Sequence, residues 1–217
     1  MRKAMHKDMK MNLPNKLTVL RLIMVPIFMA VMLIPCFANV GRTANAILQL
    51  VGAFLFIAAS FTDMLDGKIA RKYNLVTDFG KFLDPLADKF MVIGAMVCIF
   101  YYNAVVANKN LATLYFASLV IVVFRELAVT SIRLIASSKK NVVIAANMLG
   151  KIKTVTQIIA VVAAIVEPVI YSSLGLGGWV CKFPPLTFFM TGIMIIFTII
   201  SGINYISGAW KYLDPEK

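Results

Sequence analysis

Apolar and charged residues follow one another along this chain in long blocks. Six runs are almost wholly apolar: Leu22–Ala38, Ala46–Thr62, Phe90–Ala107, Leu111–Phe124, Thr154–Ile170 and Phe183–Trp210. A bilayer core demands about 20 apolar residues per helix, so each run reads as one span. The pattern predicts an all-α integral membrane protein with six transmembrane helices. Pro26 and Pro35 are placed to kink the first of them. The fourth is expected to continue through Arg125 and Arg133. In the fifth, Glu167 and Pro168 interrupt the run, and Pro168 reads as a helix end. The sixth is uncharged throughout and must tilt or extend beyond the hydrocarbon. Residues 1–16 form a basic, Met-rich amphipathic leader ending around Pro14, ahead of a membrane domain over 17–213. A signal peptide fits poorly, because the next apolar run is too long and ends without a small-residue cleavage site.

Composition narrows the class. Of the 217 residues 60% are hydrophobic and 15% charged, an apolar excess foreign to soluble domains. The net charge of +12 suits either nucleic acid or an anionic membrane surface. Its distribution speaks against nucleic acid, because the basic residues sit between the apolar runs and make no continuous face. If the leader, the second and fourth links and the tail share one side, only Arg42, Lys109 and Lys182 of the 22 Lys and Arg lie opposite. That asymmetry puts both termini in the cytoplasm of a multi-pass cell-membrane protein. Cys36, Cys98 and Cys181 are far apart with no CxxC spacing, and the one histidine, His6, lies in the leader. Disulfide frameworks, zinc sites and histidine chemistry are thereby set aside.

Five of the ten acidic residues fall between Asp63 and Asp88, where the second run ends and the third begins. An ionised aspartate near hydrocarbon costs about 2.5–3.5 kcal/mol, so several together need compensation. Asp63 and Asp66 are i, i+3, and Gly67 and Ala70 follow them at i+4. On a helix these form one stripe, two carboxylates beside two very small residues. Gly80, Asp84 and Asp88 repeat the device at i, i+4, i+8. Pro85 suits only a first turn, so that helix is expected to start near residue 81. Antiparallel packing would gather four carboxylates beside a gap left by Gly67, Ala70 and Gly80. Such a group stays ionised only if a cation or protons offset the repulsion. All-oxygen coordination favours Mg²⁺ or Mn²⁺, and two such ions can clamp the attacking and leaving oxygens at phosphorus. The plainer alternative is a solvated loop in which these acids pair with Lys68, Arg71, Lys72, Lys81 and Lys89. Helical spacing with three small residues on the same stripes argues against it.

The run Asp63, Asp66, Gly67, Ala70, Arg71, then eight residues, then Gly80, Asp84, Asp88 resembles the full signature of the CDP-alcohol phosphotransferases, DxxDGxxAR and GxxxDxxxD, with no departure. The six-span layout extends the likeness over almost the whole chain. The resemblance implies that Asp63, Asp66, Asp84 and Asp88 surround two Mg²⁺ or Mn²⁺ ions, with Asp88 as general base. It implies a nucleotide site at Asn15, Thr18, Asp66, Gly67, Ala70, Arg71 and Gly80. The donor implied is CDP-diacylglycerol, drawn from among the membrane lipids, and the fold implies a homodimer.

Weaker motifs point to the acceptor: Pro14, Asn15, Thr18 and Arg21; Arg125, Thr130 and Arg133; Gly150, Lys151, Lys153 and Thr154. They resemble family members that use sn-glycerol 3-phosphate. That acceptor needs cations for its phosphate, and Arg125, Arg133, Lys151 and Lys153 are the candidates. Topology alone also places Lys and Arg at such helix ends. An inositol phosphate, phosphatidylglycerol or serine would be alternative acceptors of the same chemistry. A cation-coupled transporter would show polar or broken segments at mid-membrane in several helices, and a structural scaffold would not need the aspartates. The acids crowd a single boundary instead, which favours the enzyme.

Overall fold

The computed structural model describes residues 12–73, 75, 77–140 and 148–209, without the side chains of 71, 136–140 and 209. Among these residues every regular element is a helix: α1 (Leu13–Phe37), α2 (Arg42–Lys72), α3 (Asp78–Val105), α4 (Lys109–Lys140), α5 (Met148–Ser173), the short α6 (Trp179–Lys182) and α7 (Pro185–Ala209). All but α6 and α3 satisfy the length and composition of a membrane span, α6 and α7 counting together. The first half of α3 carries Asp78, Lys81, Asp84, Asp88 and Lys89, yet its 28 residues extend about 42 Å at 1.5 Å per residue. Its apolar half runs through the core, with Ala95, Met96 and Ile99 fully buried. Six long helices therefore form the bundle. Its outer surface shows large apolar groups such as Phe54, Phe124, Leu134 and Phe189, as contact with lipid requires.

Packing follows chain order at first and then departs from it. α1 lies against α2 and α3, α3 against α4, α4 against α7, α5 against α7 and α2. Contacts between ends show the helices to be antiparallel neighbours: Arg42 at the start of α2 donates to Ser172 at the end of α5, and Asn45 pairs with Tyr102 near the end of α3. Small residues permit the approach. A Cβ on Gly52 would stand 2.5 Å from the Met32 sulfur, so where α1 and α2 close, any larger residue would have to push the Met32 side chain aside. The core joins Val25, Phe28, Met32, Phe56, Ile99, Tyr115, Ala160 and Met194. The buried Tyr115 hydroxyl donates to the Ala160 carbonyl at 2.7 Å, which supplies the partner a phenol needs in an apolar interior.

Three helix boundaries differ from the sequence reading. α1 starts at Leu13 with Pro14 in its first turn, so residues 13–16, counted above with the leader, are helical; proline's missing N–H is no loss there. Residues 1–11 and the tail from 210 lie outside the described residues. α3 starts at Asp78, not near 81, because Thr77 caps it by accepting the Gly80 N–H at 3.0 Å. Pro85 is thus interior, and α1 also continues through Pro26 and Pro35.

Pro168 does not end α5, which runs on to Ser173. Glu167, beside the proline, anchors this part of α5. Its carboxylate accepts from the Leu186 N–H at 3.0 Å, the Thr187 N–H and hydroxyl at 2.6 Å each, and the Tyr171 hydroxyl at 2.8 Å. A buried acid from α5 thereby caps the positive N-terminus of α7 and pins the turn after the proline. Glu167→Ala is expected to destabilise the bundle by about 2–4 kcal/mol, read as a lowered unfolding midpoint in detergent. Glu167→Gln should recover part of that loss.

Candidate active site

The polar end of α1 organises the site. Its buried stripe, Pro14, Thr18, Arg21, Val25, Phe28 and Met32, repeats every three or four residues and faces α2 and α3. The outer members of the stripe are apolar, whereas Thr18 and Arg21 lie level with the aspartates. Arg21 is fully buried. Its Nη1 lies 2.8 Å from Asp63 Oδ1 and 2.6 Å from Asp88 Oδ1, and its Nη2 contacts Asp66. Thr18 donates to Asp84 Oδ1 at 2.7 Å. Two residues of α1 thus touch all four aspartates, two from α2 and two from α3. The four carboxylates converge.

Beside them Thr77 donates to Asn15 Oδ1 at 3.0 Å. A Cβ on Gly80 would sit 3.0 Å from that same oxygen and 3.3 Å from the Thr77 hydroxyl, so the glycine allows Asn15 its place. Gly67 and Ala70 lie on the aspartate-bearing end of α2, both partly exposed. The side chain of Arg71 lies outside the described residues.

On its other side the aspartate group opens into a cavity of about 430 Å³ between α3, α4, α5 and α7. Asp84 and Asp88 line one wall; Arg125, Arg133, Lys151 and Lys153 line the others, so the structure brings these cations to one space. They are not equally free. Lys153 is buried and bonded to Glu126, while Arg125 binds Glu126 at 3.0 Å and Ser201 at 2.6 Å. Arg133 is exposed, donating to the Tyr205 hydroxyl at 3.1 Å with its guanidinium carbon 5.5 Å from the ring centre. Lys151 is exposed. Lys89 also lines the cavity and holds Thr130 at 2.6 Å.

The family model for CDP-alcohol phosphatidyltransferase matches residues 11–203. The chain belongs to that family. It is 41% identical to the CDP-diacylglycerol–glycerol-3-phosphate 3-phosphatidyltransferase of Bacillus subtilis (strain 168), over 94% of this chain and 98% of that protein. A protein of the same name from Rickettsia felis is 32% identical over 93% of this chain and 97% of its own length. One from Arabidopsis thaliana, numbered 2, is 40% identical over 68% and 61% respectively.

For a CDP-alcohol phosphatidyltransferase, Arg21 changes how the aspartates are understood. With the guanidinium among them, no three acidic side chains among the described residues close round one point suited to a metal ion. The donor set nonetheless fits hard divalent cations, being four carboxylates and nothing softer. One guanidinium also leaves most of their charge uncompensated. Divalent ions would be held by Asp63, Asp66, Asp84 and Asp88 once the carboxylates turn from Arg21. Sequence reasoning treated Arg21 only as part of a motif. The missed signal was its register: an arginine inside a span, three residues from Thr18 and on the core-facing stripe, needs buried acids as partners.

Proposed function

We propose that this protein transfers the phosphatidyl group of CDP-diacylglycerol to sn-glycerol 3-phosphate, giving phosphatidylglycerol phosphate and CMP. The observation that carries this is the continuity of the site. Carboxylates converge where α2 ends and α3 begins, and from Asp84 and Asp88 a cavity leads directly to Arg125, Arg133 and Lys151. The names of relatives that match nearly the whole chain support the same acceptor. The distribution of Lys and Arg favours a site facing the cytoplasm, where a soluble phosphorylated acceptor is available.

In this reading the nucleotide lies against the Gly67 and Ala70 face of α2, near Asn15. The primary hydroxyl of the acceptor enters beside Asp88. Its oxygen forms a bond to the lipid-linked phosphorus as the bond from that phosphorus to the bridging oxygen breaks. CMP departs with the bonding pair, and the hydroxyl proton passes to the Asp88 carboxylate. Bound Mg²⁺ or Mn²⁺ would offset the diphosphate charge and the charge developing on CMP. Arg133 and Lys151 hold the acceptor phosphate and fix the angle of approach. Arg125 and Lys153, tied to Glu126, shape that pocket more than they supply free charge.

Purified protein in mixed micelles of CDP-diacylglycerol with Mg²⁺ should release CMP on addition of sn-glycerol 3-phosphate, and not with serine or an inositol phosphate. Release with one of those alone would reject the acceptor assignment. Chelation with EDTA should stop the reaction, and Mn²⁺ should restore it.

A further inference from the structure

Lys153 and Gln157 are one helical turn apart on α5, both buried and both lining the cavity that runs from Asp88 to the cationic wall. Lys153 is satisfied by Glu126. Gln157 is only 1% exposed, yet its amide nitrogen has no hydrogen-bond partner. Burying an unpaired amide donor is unfavourable, and the apolar Val92, Ile93 and Val122 that share the cavity lining have no side-chain group to pair with it. Packing does not explain it either, since leucine or methionine would fill the same volume without the penalty. A buried donor left open at the edge of a substrate cavity is the arrangement expected where a ligand oxygen completes it.

The acceptor presents three kinds of oxygen. Its reacting hydroxyl must lie at Asp88, and its phosphate belongs with Arg133 and Lys151. The secondary hydroxyl on the carbon between them is the group that has no partner so far. We propose that Gln157 is a specificity-determining residue whose side-chain amide hydrogen-bonds the secondary hydroxyl of a three-carbon polyol phosphate. The inference rests on the acceptor reading above and adds to it the residue that senses the middle carbon. The amide then helps to orient the primary hydroxyl toward Asp88, and it favours polyol phosphates over simple alkanol phosphates of equal length.

The test compares sn-glycerol 3-phosphate with 3-hydroxypropyl phosphate, which has the primary hydroxyl and the phosphate but lacks the secondary hydroxyl. Wild-type protein should prefer the polyol in kcat/KM by about ten- to a hundredfold. Gln157→Met should remove most of that preference. It should lower kcat/KM for the polyol by a similar factor and leave the deoxy acceptor within about twofold. A role limited to packing would slow both acceptors equally, and that result overturns the inference. So does a wild-type protein that uses both acceptors equally well, a measurement independent of whether any variant folds. If wild type releases CMP with neither compound but does so with another alcohol, it is the acceptor reading that falls.

Discussion

Asp88→Asn should reduce CMP release by about three orders of magnitude, within the range expected for losing a positioned base. The substitution keeps shape and removes charge and basicity. Asp88 is well suited to the experiment because its side chain is 49% exposed and shares Arg21 with Asp63 and Asp66, so the fold does not depend on its charge alone. The variant should insert into membranes and unfold close to wild type. Asp78→Asn is the matched control, ten residues earlier on the same helix. Asp78 is 99% exposed and, among the described residues, forms an ion pair only with Lys81 at 3.0 Å, so this change should leave turnover within about twofold, as expected for a surface ion pair. Initial rates of CMP release at saturating lipid and acceptor give both values. Equal activity in Asp88→Asn and wild type would remove Asp88 from the reaction.

Much of the architecture was legible because the bilayer allows few solutions. A helix satisfies its own backbone, so an apolar run of the right length is a span whatever its neighbours are. The aspartate spacing carried the site for a related reason: in helices, i, i+3 and i, i+4 fix a face, and glycine or alanine on that face marks room beside the acids. Prolines are less legible. Pro85 and Pro168 both suit a boundary, yet both are interior. The Thr77 cap starts α3 two turns ahead of Pro85, and Glu167, beside Pro168, ties α5 to the first turn of α7. A local rule about proline cannot anticipate a partner 20 residues away.

The cation wall shows a second limit. Arg125, Arg133, Lys151 and Lys153 were expected together, and they do line one cavity. Nothing in their spacing showed that Glu126 would engage Arg125 and Lys153 while leaving Arg133 and Lys151 exposed. Glu126 lies in the same α4 stretch, and spacing along the chain does not connect it to Lys153, 27 residues further on. Gln157 was missed for a different reason. An uncharged polar residue in an apolar run resembles any other tolerated amide until its lack of a partner is seen.

Arg21 is where the stability of the site and its cation chemistry meet. Arg21→Met is expected to destabilise the protein by about 3–5 kcal/mol, the range for removing one member of a buried charge group. The reason is specific to this cluster. Asp66, only 6% exposed, would lose its contact with the guanidinium, and Asp63 and Asp88 would lose the donor they share. Lysine should rescue only part of the loss, because one ammonium cannot reproduce the planar fork that serves Asp66 through one nitrogen and the other two acids through the next. Divalent ions separate this account from simple loss of packing. If the aspartates hold Mg²⁺ or Mn²⁺, saturating either ion in detergent should raise the unfolding midpoint of Arg21→Met more than that of wild type, since in the variant the ion takes over the counter-charge that the guanidinium supplied. In EDTA the difference between the two proteins should be largest. A variant that melts with wild type in EDTA would show that the carboxylates do not need the guanidinium. One that is destabilised equally with and without metal would show that the ion and Arg21 do not act on the same four aspartates.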